Sequence, residues 1–259
     1  SIGIVTARGL SIFGNTTGLQ VASGISTFQA ITGTTGTFTG DVDIADKIVH
    51  TGDTNTAIRF PSADTFTVET AGSERLKINS SGQLLIGTNI TGRVIANITS
   101  RQQIETTDGS AALSITRNDD AANASTARLS FGRSRANSVG GVTAVTTNDI
   151  LGEIRFSGAD GTDLTNHAAS IAAVVDGSVS SNTVPGRITF NTASGSDPVE
   201  RMRIDSSGRL LLGTTTEGAA DADNLTIADS GSAGITIRSG TSAAGAIYFS
   251  DDTSGAAEY

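Results

Sequence analysis

"ERLKINSSGQLLIGT" occupies Glu74 to Thr88, and "ERMRIDSSGRLLLGT" occupies Glu200 to Thr214. Ten of the fifteen positions are identical, and most of the others exchange like for like: Leu/Met, Lys/Arg, Asn/Asp and Ile/Leu. In the first copy Leu76 and Ile78 share one face of an extended segment while Arg75 and Lys77 share the other, the period-2 pattern of a half-exposed strand. Asn79-Ser80-Ser81-Gly82 is a polar loop of four residues ending in glycine, and "QLLIGT" returns, so the phrase reads as a β-hairpin. The returning strand breaks the alternation. Leu84, Leu85 and Ile86 are consecutively apolar, as are Leu210, Leu211 and Leu212, and a strand of that kind is expected to be covered on both faces. A hairpin written twice, 126 residues apart, points to modular construction.

Smaller signatures recur around it. "DTFTVET" puts Phe66 and Val68 on one face against Thr65, Thr67 and Glu69. An aliphatic residue two before a phenylalanine ends "AIRF" at Phe60, "ARLSF" at Phe131, "GEIRF" at Phe156, "GRITF" at Phe190 and "GAIYF" at Phe249. "DGSAALSITR" follows the first long phrase and "DSGSAGITIR" the second. Upstream, glycine is followed closely by phenylalanine at Phe13, Phe28 and Phe38, with Gly/Thr turns between, a texture too thin to bury a core alone. The expected organisation is therefore a Gly/Thr-rich shaft over 1–45, a first β-unit over 46–90, a larger one over 91–216, and the start of another over 217–259. With no initiator Met at Ser1 and an ending in mid-pattern at Tyr259, the sequence is expected to belong to something longer. Only "NHAASIAAVV" offers helical spacing, at Ala168, Ile171, Ala172 and Val175; as a strand it offers Ala169, Ile171, Ala173 and Val175, and the strand-like surroundings favour that reading.

Composition excludes several function classes. Glycine is 31 of 259 residues, aromatics are 4% with no Trp, and the β-branched, Ser/Thr-rich remainder suits short strands and turns better than a thick helix-covered core. The net charge is −9 with no basic run, which argues against nucleic acid as a partner. The longest apolar stretch, around "AASIAAVV", is far short of a membrane span of ~20 residues. There is no cysteine, so neither disulfides nor thiolate metal sites are available.

Candidate chemistry is sparse. His50 and His167 have no second ligand at metal spacing, and "DVD" at Asp41 to Asp43 and "DADN" at Asp221 to Asn224 lack the later Glu of a calcium loop. Asp119/Asp120, Asp251/Asp252 and Asp160/Asp163 are carboxylate pairs in Gly/Ser/Thr company, where turn chemistry is the commoner role. "SVGGVTAV" lacks the Lys-Ser/Thr of a phosphate loop. No catalytic, cofactor-binding or metal-binding set is expected, and no cofactor.

Open strand edges with apolar residues on both faces aggregate unless covered, and the economical cover is an identical chain. Three copies about one axis satisfy every copy equally, so the expected fold is all-β, an elongated homotrimer resembling a triple-stranded β-helix or β-prism. Its core would hold Phe13, Phe28, Phe38, Phe60, Leu76, Ile78, Leu84, Ile86, Phe131, Phe156, Phe190, Met202, Ile204, Leu210, Leu212 and Phe249.

"GDVDIADKIVHTGDTNTAIRFPSADTFTVETAGSERLKINSSGQLLIGT", the later "LGEIRFSGADGTD", "AASIAAVVDG", "PGRITF" and "ERMRIDSSGRLLLGT", and the "GIVTA" opening resemble segments of tail-fibre proteins from marine tailed phages, especially those infecting cyanobacteria. The resemblance covers most of the chain. It implies a homotrimeric β-rich fibre of the virion, outside the cell, joined to other tail components and used in recognising or attaching to a host surface receptor or glycan. It also implies a strand for "AASIAAVVDG". The self-cleaving chaperone that ends many relatives has no recognisable counterpart here. Two other readings share the repeats: a polysaccharide-degrading trimeric tailspike, which needs an acidic groove lined by aromatics, and a repetitive bacterial surface adhesin.

Overall fold

The computed structural model describes residues 40–87, 92–118, 126–195 and 197–248. The chain divides into two units, Ser1–Ala45 and Asp46–Tyr259. Residues 40–45 of the first unit carry no strand, and the shaft positions Phe13, Phe28 and Phe38 lie outside the described residues, as does Phe249.

Secondary structure in the second unit is entirely β among the described residues. The strands are β1 (Lys47–His50), β2 (Asp53–Arg59), β3 (Phe66–Thr70), β4 (Ser73–Ile78), β5 (Leu84–Ile86), β6 (Val94–Ile95), β7 (Ile98–Thr99), β8 (Gln102–Ile104), β9 (Ile150–Ser157), β10 (His167–Val175), β11 (Gly186–Thr192), β12 (Val199–Ile204), β13 (Leu210–Leu212) and β14 (Leu225–Ile227). "HAASIAAVV" is thus a strand, the longest among the described residues, paired on both sides by β9 and β11.

Two six-stranded sheets share one topology. The first runs β1-β2-β3-β4-β5-β8 and the second β9-β10-β11-β12-β13-β14. In each, five strands form an antiparallel meander, and the sixth pairs parallel to the fifth, β8 on β5 and β14 on β13. A parallel neighbour requires the chain to cross back along the sheet. The first crossover contains the small β6-β7 pair, turned by Ala96 and Asn97, both at positive φ.

The long phrase gives both sheets the same three devices. Its loop closes identically: Gly82 N donates to the Asn79 carbonyl at 2.8 Å and Gly208 N to that of Asp205 at 3.0 Å. The Asn79 side-chain oxygen accepts from the amides of Ser81 and Gln83, and the Asp205 Oδ1 from those of Ser207 and Arg209. Gly82 and Gly208 sit at φ 71° and 82°, the left-handed region that glycine enters without a Cβ penalty. The ladder stops at Ile78 and resumes at Leu84, so the connection holds five residues, one more than the sequence suggests, because Gln83 still closes the loop through its carbonyl to Asn79 N.

The second device is a β-bulge. Val68 pairs with Leu76 and Glu69 with Glu74, leaving Arg75 as the extra residue; Phe190 pairs with Met202 and Asn191 with Glu200, leaving Arg201. Strand periodicity puts residues three apart on opposite faces, and one inserted residue reverses that parity. Glu74 therefore meets Lys77 at 2.9 Å, and Glu200 meets Arg203. The carbonyls of Arg75 and Arg201 accept from Gly87 N and Gly213 N, which fixes the two glycines that end the phrase.

The third device explains the triple-apolar strand. Leu85 and Leu211 are each 1% exposed, under the crossover. Gln103, in register with Leu85, holds the backbone of Arg93 through both ends of its amide, and Thr226, in register with Leu211, accepts from Gly218 N at 2.9 Å. Within one chain the crossover covers the central leucine, whereas Leu84 and Ile86 stay half-buried on the other face and Leu212 is exposed.

Candidate interaction surface

Cross-strand register places one apolar row across each sheet. In the first it reads Ile48, Ile58, Val68, Leu76, Ile86 and Ile104, one residue from every strand. In the second it reads Ile154, Ile171, Phe190, Met202, Leu212 and Ile227. A second row lies beside each: Phe66, Ile78 and Leu84, and Ala173, Ile188, Ile204, Leu210 and Leu225. The faces are open to solvent within a single chain. Ile48 is 53% exposed, Ile154 46% and Ile204 44%, and the central residues Val68, Leu76, Phe190 and Met202 are half-buried only by their neighbours. A contiguous aliphatic patch of this size is the mark of an interaction surface, because scattered single exposures need no such register.

Of the residues expected in a shared core, Leu76, Ile78, Leu84 and Ile86 lie on the first apolar face. Phe60 joins them by an edge-to-face contact with Phe66, the ring centres 6.1 Å apart. Met202, Ile204, Leu210, Leu212, Phe156 and Phe190 lie on the second. Phe131 is in neither sheet; it rests against Gly152 of β9, where an added Cβ would come within 2.5 Å of its own Cβ. Sequence reading places Val68 and Ile171 on a strand face without assigning them to the shared core, and leaves Ile48, Ile58, Ile104, Ile154, Ile188 and Ile227 out of it as well. Alternation alone marks most of them; Ile104 and Ile227 sit in three-residue strands with no such pattern to read.

The opposite face is polar and tied by ion pairs. Arg59 bridges Asp46 and Glu69, and Arg209 bridges Asp205 at 2.7 Å and Asp223 at 3.0 Å. Arg135 and the Thr146 amide, with Arg133, hold the Asp149 carboxyl well below the usual carboxylate range. Burial pushes Asp205 and Asp176 up, but the amides and guanidinium of Arg209 and Ser207 outweigh it at Asp205, and Ser206 with Arg187 do so at Asp176, so both stay below the ordinary value. A cleft of about 300 Å³ opens on this face of the second sheet, lined in part by Glu153, His167, Ser170, Thr189, Asn191 and Glu200. Burial opposes ionisation of Glu153, yet hydrogen bonds from Arg155 and Ser170 bring it below the usual glutamate value, and Glu200 is clasped by Arg203. His167 Nε2 lies 3.0 Å from the Ala169 carbonyl, and His50 is exposed. Asp160 and Asp163 accept from turn amides at Thr162, Asp163 and Thr165. Among the described residues no three His, Asp or Glu side chains converge as metal ligands.

No family model matches the chain, and no curated protein matches it. Among solved structures it is similar to the carboxy-terminal domain of the bacteriophage T5 L-shaped tail fibre, at 16% identity over 73% of this chain and 83% of that one, with a TM-score of 0.48. It is also similar to the same domain with its intra-molecular chaperone domain, at 15% identity over 78% of this chain and 61% of that one, again with a TM-score of 0.48.

Proposed function

We propose that this chain is a structural, non-enzymatic segment of a tailed-phage tail fibre, of the marine type its phrases resemble, which assembles as a homotrimer and carries or spaces the recognition of a host surface receptor or glycan. It belongs, in this reading, to the virion outside the cell and joins other tail components. The observation that carries it is the pair of matched apolar faces. An occupant must cover two similar apolar rows carried on one chain, and another copy of the chain offers both rows with the same separation. Three copies in a closed ring cover all of them equally, with no face left over. The ion-paired opposite face and the acidic balance then face water.

A polysaccharide-degrading tailspike is less well supported. A glycosidase keeps one carboxyl protonated by raising its pKa. Here Glu153 is held down instead, and the residues lining its cleft include no Phe, Tyr or Trp to stack on a sugar ring. Sedimentation mass tests the proposal: three chains per particle are expected, with a three-fold rod by negative-stain microscopy. A stable folded single chain overturns it. Incubation with host polysaccharide is expected to release no new reducing ends.

A further inference from the structure

We infer that the segments following each sheet, residues 111–116 and 127–131 after the first and 234–238 after the second, are strands that pair with other copies of this chain. The inference rests on the assembly proposed above and specifies how it is built. Each segment alternates as a strand does: Leu113 with Ile115, Leu129 with Phe131, Ile235 with Ile237, with Ser or Thr between. Their apolar side chains are among the most exposed of the described residues, Leu113 at 67%, Leu129 at 61% and Ile235 at 64%. None of these six residues belongs to a strand, and none makes a backbone-to-backbone hydrogen bond with another described residue. β-prone sequence, an apolar stripe and open backbone groups together describe a strand without a partner.

The place where a partner is missing is visible at β9. Among the described residues that strand pairs in a ladder only with β10, so its outer edge carries no strand partner. Residues 127–131 approach the edge through side chains: Phe131 packs against Gly152, and the adjoining Arg133 donates to the Ile150 carbonyl at 3.0 Å and pairs with Asp149. They form no ladder with it, so the backbone groups of 127–131 are left for another strand. β1 is an outer strand of the first sheet in the same way. The occupant is a second copy, because the same alternating segment recurs at the same point after both sheets. A copy in register supplies a matching strand for each, whereas an unrelated partner would need two such strands at the spacing of this chain. Pairing in a closed ring also removes the edges that would otherwise propagate without limit.

Hydrogen–deuterium exchange on the intact chain tests this. In the assembled particle the amides of 112–116, 128–131 and 235–238 are expected to exchange at least ~100-fold more slowly than unstructured peptide, in the range of a stable ladder. Exchange at the unstructured rate, with β10 and β11 protected and the mass still that of three chains, would overturn the inference and leave the assembly standing. A single-chain mass would overturn both. Ser114→Pro and Ser130→Pro give a second readout. Each removes one amide, which is harmless in an unpaired extended segment but breaks a ladder. Fewer chains per particle are expected at the same protein concentration, and unchanged assembly for both variants would count against strand pairing.

Discussion

Asn79 and Asp205 show how little chemistry the duplicated phrase needs to preserve. Both present a side-chain oxygen to two loop amides, and the extra charge on Asp205 is matched by Arg209 at 2.7 Å. Asp205→Asn keeps the acceptor that Asn79 supplies in the first copy, whereas Asp205→Ala leaves the amides of Ser207 and Arg209 without it. The alanine variant is expected to lose roughly 1–3 kcal/mol, and the asparagine variant less. Urea midpoints compare them, and equal losses would show that the acceptor contributes nothing. The pH dependence has a definite sign. Asp149, Asp176 and Asp205 all titrate below their ordinary value in the folded chain. The stability they add is complete above the unfolded aspartate value of about 3.9 and is lost as pH falls through the lower folded values. Thermal midpoints should therefore hold from pH 7 to about 5 and fall below about 4, and Asp149→Asn should flatten that acid limb.

At the scale of elements, strands with clean alternation were legible in the sequence and features set by distant contacts were not. Phe66 and Val68, or Leu76 and Ile78, announce their face within five residues. The bulges at Arg75 and Arg201 interrupt the pattern that would reveal them, and β8 and β14 are placed by crossovers anchored at Gln103 and Thr226. The central leucines follow the same rule: "LLI" says that a strand is apolar, but only the crossover decides which face it closes. Gly213 tests that closure. It sits at φ 74°, and a Cβ there would run into the Ala228 carbonyl, whose own amide donates to Leu212. Gly213→Ala is expected to cost about 1–3 kcal/mol through the strained backbone and the displaced carbonyl. Amide exchange should accelerate first at β14; loss confined to other strands would contradict the docking role.

For the whole molecule the decisive quantity is how much apolar surface remains once a single chain has folded. Each half-exposed Ile or Leu of the two rows gains roughly 1 kcal/mol on full burial. Some ten such side chains per copy would together supply on the order of 10 kcal/mol, comparable with the ~4–15 kcal/mol that association costs in lost freedom. A single sheet of this kind would assemble marginally, so duplication has an energetic reason beyond added length. Two positions in the second row-pair separate assembly from folding. Ile171 is 37% exposed and Ile188 40% exposed, both on the apolar face, and threonine preserves the β-branched shape that suits a strand. The double variant Ile171→Thr, Ile188→Thr should keep the β circular-dichroism spectrum of the folded chain. Across three copies it removes on the order of 6 kcal/mol of interface burial. Sedimentation is expected to show three chains giving way to one at micromolar concentration. Unchanged association would place the interface elsewhere, and the polar, ion-paired face would then be the surface to test.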